Sequence, residues 1–143
     1  MSAQLATFCL GPDLFGIPVG TVQEVLLEQP RTPAPGAPAA IAGLINLRGQ
    51  VVTALDLRTR VGLPPRPADL TSIDIVVRAQ DEVWSLLADS IGDVVEVEDA
   101  QFEPTPDILH GPLRELLHGA YKLEDQLLLL LDVDRVLELV PAP

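Results

Sequence analysis

The feature that most constrains this chain is an echo of its first half in its second. Gly43-Leu-Ile-Asn-Leu-Arg-Gly-Gln-Val-Val-Thr-Ala-Leu-Asp56 lies on Gly119-Ala-Tyr-Lys-Leu-Glu-Asp-Gln-Leu-Leu-Leu-Leu-Leu-Asp132 at a constant separation of 76 residues. Gly43/Gly119, Leu47/Leu123, Gln50/Gln126, Leu55/Leu131 and Asp56/Asp132 are identities, while Val51, Val52 and Leu57 meet Leu127, Leu128 and Val133. Upstream, Phe15-Gly-Ile-Pro-Val-Gly-Thr-Val-Gln-Glu-Val-Leu26 matches Trp84-Ser-Leu-Leu-Ala-Asp-Ser-Ile-Gly-Asp-Val-Val95 at a separation of 69. The change of offset falls in the loops between the blocks, where insertions are tolerated. The repeat predicts two β-modules of about 65–70 residues with roughly five strands each. A module that small is marginal alone, so the two are expected to share a core across a pseudo-two-fold axis. Closing each short sheet into a barrel would hide its edge strands.

The local pattern is one of short apolar runs between turn residues. Residues 5–10 and 14–19 flank Gly11-Pro12-Asp13 and predict a hairpin. Residues 73–77 and 83–88 flank a polar turn at 79–82, and residues 120–123 and 127–131 flank Glu124-Asp125-Gln126. The run 127–131 is apolar on both faces and predicts a central strand. Short helices are expected over 57–62 and 133–140, each after an aspartate, Asp56 or Asp132, placed to cap the first turn. Gly62 with Pro64-Pro65 stops the first, and Pro141 the second. Two proline-rich stretches, 29–40 and 64–68, read as extended surface loops. The second lies near mid-chain and is taken as the boundary between a first barrel over 1–68 and a second over 69–143, within one domain of 143 residues.

Composition narrows the function classes. Nine Lys plus Arg stand against 21 Asp plus Glu, a net charge of −12, which repels phosphate backbones and anionic lipid and argues against nucleic-acid or membrane-surface binding. Apolar residues make up 48% of the chain, enough for a packed core. No stretch approaches the ~18 apolar residues of a membrane span, and the start has no basic n-region, so a cytoplasmic protein without membrane insertion is expected. Cys9 is the single cysteine, which excludes an internal disulfide.

Catalytic constellations are sparse. Asp56 and Asp132 give one carboxylate per half, the arrangement in which two acids share a proton in an aspartyl hydrolase. Leu57-Arg58 and Val133-Asp134 follow them where such enzymes carry a small Thr/Ser-Gly turn, and helix capping explains both. His110 and His118, with Asp107, lack a third metal ligand, and Asp132-Val-Asp134 lacks the glycine and closing glutamate of a calcium loop. No phosphate-cradling loop occurs, and Lys122 is the only lysine. No catalytic residue, metal ligand or cofactor is assigned. One feature is chemically odd: Asn46-Leu47-Arg48-Gly49 sets a cation beside strand residues in a chain poor in basic groups. Taken by itself, Arg48 is equally a surface ion-pair residue or a cation positioned at a groove by Glu24.

Phe8-x-Leu10-Gly11, Phe15-Gly-Ile-Pro-Val19 and Val22-Gln-Glu-Val25 resemble the opening of the CheW family, the coupling proteins of bacterial and archaeal chemotaxis. Gly43 through Arg58 is similar to that family's most recognisable stretch. Leu87-Ala-Asp89-x-Ile-Gly-Asp-Val94, Glu103-Pro-x-Pro106, and Leu128 to Asp132 with Val136-Leu137 follow in order. The resemblance implies a mainly β fold of two five-stranded SH3-like barrels side by side. It implies a non-enzymatic adaptor that joins the cytoplasmic tip of chemoreceptors to the regulatory domain of the histidine kinase CheA, with the receptor's helical hairpin docking between the barrels. Val22, Glu24, Gly43, Asn46, Leu47, Arg48 and Gly49 are the positions it assigns to receptor coupling, with Arg48 held by Glu24 in a fixed fork. The chain departs from the family in its proline-rich 29–40 segment and in its second half, which has Tyr121-Lys122 with no Arg-Gly where the first has Arg48-Gly49. A diverged scaffold serving another receptor–kinase pathway would share these features.

Overall fold

The computed structural model describes residues 2–107, 109 and 111–138. Eleven strands and three short helices follow one another as β1 (Ser2–Leu10), β2 (Asp13–Pro18), β3 (Val22–Leu27), β4 (Ile41–Leu47), β5 (Gln50–Asp56), α1 (Leu57–Val61), β6 (Ile73–Ala79), β7 (Glu82–Ala88), β8 (Ser90–Glu98), β9 (Phe102–Glu103), α2 (Pro112–Glu115), β10 (Leu117–Lys122), β11 (Leu127–Leu131) and α3 (Val133–Leu137). The three hairpins expected from the turn residues form as β1–β2, β6–β7 and β10–β11. The expected helices form over α1 and α3, capped by Asp56 and Asp132, whose carboxylates accept from the Arg58 and Arg135 amides. The second helix, expected to reach 140, ends instead at Leu137 with Glu138 as its C-cap, whose amide bonds the Arg135 carbonyl. The one-turn α2 had no anticipated counterpart; Pro112 opens it, where a missing N–H costs nothing.

The strands pair into two sheets, β8-β1-β2-β11-β10-β9 and β3-β6-β7-β5-β4. The sixth strand of the first sheet is the two-residue β9, and its counterpart beside β4 is the isolated bridge Thr32↔Leu44. The registers reproduce both sequence offsets. Leu129 pairs with Phe15 and Thr53 with Trp84, so one pair maps onto the other through 76 residues on one strand and 69 on its neighbour.

The sheets do not, however, divide the chain into barrels over 1–68 and 69–143. Hairpin β1–β2 from the first half joins β8 to β11 of the second, and hairpin β6–β7 from the second joins β3 to β5 of the first. The proline-rich loop at 64–68 therefore connects elements of one sheet. The chain crosses between sheets at the 3₁₀ turn Val19–Thr21 and again at Asp89, between β7 and β8. Each exchange is sealed by a parallel pair, β2 with β11 and β5 with β7.

The exchanged hairpins are also the centre of the packing. Phe8, Leu10, Phe15, Ile17, Ile75, Val77 and Leu86 meet Leu55, Leu57, Leu131, Val136 and Leu137 in one core shared by both sheets. Phe8 and Phe15 stack with ring centroids 5.8 Å apart. The opposite face of the same strands fills each barrel: Val76 and Leu87 with Ile45, Leu47, Val52 and Ala54 in one, Leu5 with Val97 and Leu128 in the other. Strands buried on both faces read as near-continuous apolar runs, as the pattern of β11 had indicated.

Candidate functional site

The sheet β3-β6-β7-β5-β4 has β3 at one edge and β4 at the other. β4 and β5 are joined by a two-residue turn, Arg48-Gly49, between the paired Leu47 and Gln50. Both turn residues have positive φ, 50° and 87°, the signature of a type I′ turn that matches the twist of a hairpin. Glycine adopts that backbone freely; arginine does so only at a cost. Asn46 steadies the turn by accepting the Gly49 N–H on its Oδ1 at 2.9 Å. The turn thus holds an arginine out from the barrel in an unfavourable backbone state, the kind of outlier from which a functional reading starts.

From there Arg48 reaches across the open side of the sheet to Glu24 on β3, where its Nη2 donates to Oε2. The bond raises the pKa of the guanidinium and fixes its direction. Arg48 remains 71% exposed, whereas Glu24 is 27% exposed. The pair joins the two edge strands and closes the barrel while leaving N–H donors free toward solvent. Exposed aliphatic residues lie on the same strands: Val25 and Leu27 alternate with Glu24 on the outer face of β3, and Val51 stands directly across from Asn46.

The residues anticipated for this site fall into two groups. Glu24, Asn46, Arg48 and Gly49 come together at the surface. Leu47 is buried inside the barrel, and Val22 is half-buried against the shared core. Gly43 is buried at a β-bulge, where a Cβ would stand 2.6 Å from the Thr32 carbonyl oxygen; its role in the fold is close strand approach. Gly119 repeats this in the other barrel, 2.7 Å from the Glu103 carbonyl oxygen. The exposed Val25, Leu27 and Val51 escaped the sequence reading because an aliphatic residue in a strand is by default a core residue.

A second polar cluster also went unanticipated. Asp89 accepts from Arg58 Nε and Nη2, at 2.9 and 2.7 Å, from Arg66 Nε at 2.8 Å and from the Gly11 N–H at 2.7 Å. Burial pushes this carboxyl up, but Arg58, the Gly11 amide and Arg66 prevail and hold it down at about 2. The cluster sits where the chain crosses between sheets and ties together both halves, α1 and the proline-rich loop. Nearby, Arg60 of α1 donates to the Val136 and Arg135 carbonyls at the end of α3, both at 2.8 Å.

The two carboxylates weighed for hydrolysis have separate surroundings. Asp56 caps α1 and faces Arg66 at 3.8 Å, while Asp132 caps α3 and faces His118 at 3.3 Å and Arg135 at 3.4 Å. Among the described residues the two sets share no member, and each carboxylate is engaged by its own helix amide and its own cation. His110 lies outside the described residues. Cys9 is half-buried on β1 rather than fully enclosed. Among the described residues no group of three His, Cys, Asp or Glu is arranged to hold a metal ion, and no helix is long and apolar enough to cross a membrane.

With this geometry in view, comparison with known proteins is decisive. Residues 4–140 match the family model described as a CheW-like domain. The chain belongs to the CheW family. It is 32% identical over 133 residues to the chemotaxis protein CheW of Rhizobium meliloti, spanning 93% of this chain and 86% of that one. It is 30% identical over 139 residues to the CheW of Treponema pallidum, spanning 93% and 81%. The crystal structure of the scaffolding protein TtCheW from Thermoanaerobacter tengcongensis superposes with a TM-score of 0.82 at 27% identity, covering 92% of this chain and 89% of that one. The fold of two β-barrels expected from the resemblance is the fold observed, and CheW proteins form a family of non-catalytic scaffolds.

Proposed function

We infer that this CheW-family chain is a chemotaxis scaffold that couples chemoreceptor signalling tips to the regulatory domain of the histidine kinase CheA in the cytoplasm, working through protein–protein contact. The observation that carries the receptor half of this reading is the Glu24–Arg48 pair on the edge of the β3–β7 barrel. A guanidinium fixed by a carboxylate, with donors to spare and exposed aliphatic side chains on the outer face of the same strands, suits a helical hairpin that presents both apolar and polar groups. Val25, Leu27 and Val51 supply the apolar contact, and Arg48 supplies orientation. Gly43 and Leu47 act indirectly, by setting the bulge and the core beneath the turn. Family membership supports the kinase half, because coupling requires a second partner.

The experiment is co-sedimentation of the purified protein with a receptor signalling-tip fragment and its cognate CheA, wild type beside Arg48→Glu. Wild type pellets with both. In Arg48→Glu, receptor binding falls by at least about tenfold, CheA binding persists, and the melting temperature is unchanged within error. Undiminished receptor binding, or a loss that tracks a fall in melting temperature, would remove Arg48 from the interface.

A further inference from the structure

β6 sends a carboxylate into the interior of the β3–β7 barrel. Its residues alternate between two faces: Ile73, Ile75 and Val77 meet the core shared by both sheets, while Val76 packs inside the barrel with Leu87. Asp74 shares the inward face of Val76. It is fully enclosed, yet neither of its oxygens has a well-formed hydrogen bond. The other barrel strands turn aliphatic residues inward, Ile45, Val52, Ala54 and Leu87 among them. Their exception is Ser85, whose buried hydroxyl is likewise unpartnered. The charged groups that act on Asp74 come from one segment directly after β3. Glu28 repels its charge, and the Gln29 amide and Arg31 attract it, but burial outweighs both and pushes the pKa up to about 6.

That segment, residues 28–32, is a strap that leaves one edge strand of the barrel and reaches the other. Two attachments hold it. Glu28 accepts from the Ser72 N–H at 3.1 Å and from the Ser72 hydroxyl at 2.8 Å. Thr32 exchanges two backbone bonds with Leu44 of β4, both 2.8 Å. The Ser72 amide and hydroxyl, with Arg31 at 4.0 Å, hold the Glu28 carboxyl below its ordinary pKa. The two carboxylates therefore act on the strap in opposite senses. Ionised Glu28 fastens it. Ionised Asp74 requires water, and the cover that can yield is the strap, since β6 is laddered to β3 on one side and β7 on the other.

We propose that residues 28–32 form a two-carboxylate latch, shut when Glu28 is ionised and Asp74 neutral, and lifting to hydrate Asp74 once that group ionises. Opening returns Asp74 toward its ordinary value of 3.8, so it becomes easier as pH rises from 3.8 to about 6 and no easier beyond. The Glu28 clasp is complete above its ordinary value of 4.5 and is lost as pH falls through the lowered one. The strap is thus tightest between these limits, near about pH 5. The latch does not rest on the coupling function.

The test is native-state amide hydrogen exchange on the full chain at pH 5 and 7.5, in zero and low urea, expressed as protection factors. Thr32 and Leu44 are expected to exchange by local opening, insensitive to low urea, while the β11 amides follow global unfolding. Protection at Thr32 and Leu44 falls about tenfold from pH 5 to 7.5, and in Asp74→Asn that fall disappears. Glu28→Ala, which removes the clasp, speeds exchange at both pH values and keeps the ratio between them. A fall that persists in Asp74→Asn would overturn the proposal. So would exchange of Thr32 and Leu44 with the urea dependence of β11, or a Glu28→Ala strap that exchanges no faster than wild type.

Discussion

The two barrels share every register feature that defines them and differ in how they are closed. In the β3–β7 barrel, Glu24 and Arg48 span the gap between the edge strands. In the other barrel the same positions, by the 69- and 76-residue offsets, are Asp93 and Glu124, two like charges. Closure there comes instead from the 3₁₀ turn Asp99–Gln101: Glu98 and Gln101 form a reciprocal capping box, and Gln101 Nε2 reaches the Lys122 carbonyl at 3.3 Å. The turn between β10 and β11 retains the Leu123 N–H to Gln126 carbonyl bond, so the backbone frame survives where the side-chain chemistry has changed. Duplication kept what the sheet needs and left the rim side chains free to diverge, so the copies differ where they meet solvent.

That comparison can be broken outright by separating the halves. Because the hairpins are exchanged, a fragment of residues 1–68 lacks β6 and β7, and one of 69–143 lacks β1 and β2. Each alone is expected to show no cooperative unfolding transition, and an equimolar mixture to regain one, read by circular dichroism. A cooperative transition in either fragment by itself would refute the mutual dependence.

The next largest effect concerns Asp89. Replacing it with Asn takes the close carboxylate from the nearly buried Arg58 and Arg66 and leaves only Asp56, 3.8 Å from Arg66, as counter-charge, at a cost of about 3 kcal/mol. The folded pKa lies near 2 and below the unfolded value of 3.8. The stabilisation is therefore complete above the unfolded pKa and disappears as pH falls through the folded one. Urea titrations of wild type and Asp89→Asn should converge as pH drops from 4 toward 2; a gap that stays constant with pH would mean the loss is steric.

Asp74 sharpens the comparison from the other side. It occupies on β6 the place that Leu5 holds on β1, with equivalent neighbours in both registers. Both residues are buried, and among the described residues neither carboxylate oxygen of Asp74 has a well-formed hydrogen bond. Burial pushes its pKa up to about 6, against the opposing pull of the Gln29 amide and Arg31. The folded state resists the charge, so Asp74 weakens the protein as pH rises from the unfolded pKa of 3.8 through about 6. Asp74→Asn is expected to raise stability by about 2 kcal/mol at pH 7.5, with the gain vanishing below pH 4. A gain independent of pH would assign the effect to packing.

Much of this was legible in the sequence. Turn residues fixed three hairpins, two aspartates marked two helices, and the offsets of 69 and 76 reappear as strand registers. The exchange of hairpins was not legible, because a repeat reveals which segments are alike and says nothing about which of them pair. Arg48 was noticed as a rare cation in an apolar setting, and the family resemblance gave it a role; its left-handed backbone became visible only in three dimensions. Asp89 and Arg66 lie 23 residues apart, one in a proline-rich loop, and no local pattern announces such an ion pair. Val25, Leu27 and Val51 show the limit of reading hydropathy alone, since the same residue types occupy a core and an exposed strand face.

The hairpin exchange has a mechanical consequence. A protein of two barrels joined by a linker would pivot, and a pull on one would be absorbed as rotation. Here each barrel contains strands of the other's half, with the Asp89 cluster bracing one crossing and Arg60 holding the end of α3. Any hinge motion between the sheets must shear a parallel β-pair, β2 with β11 or β5 with β7. Rotating one barrel against the other therefore costs backbone hydrogen bonds, where a linker would have let it turn freely.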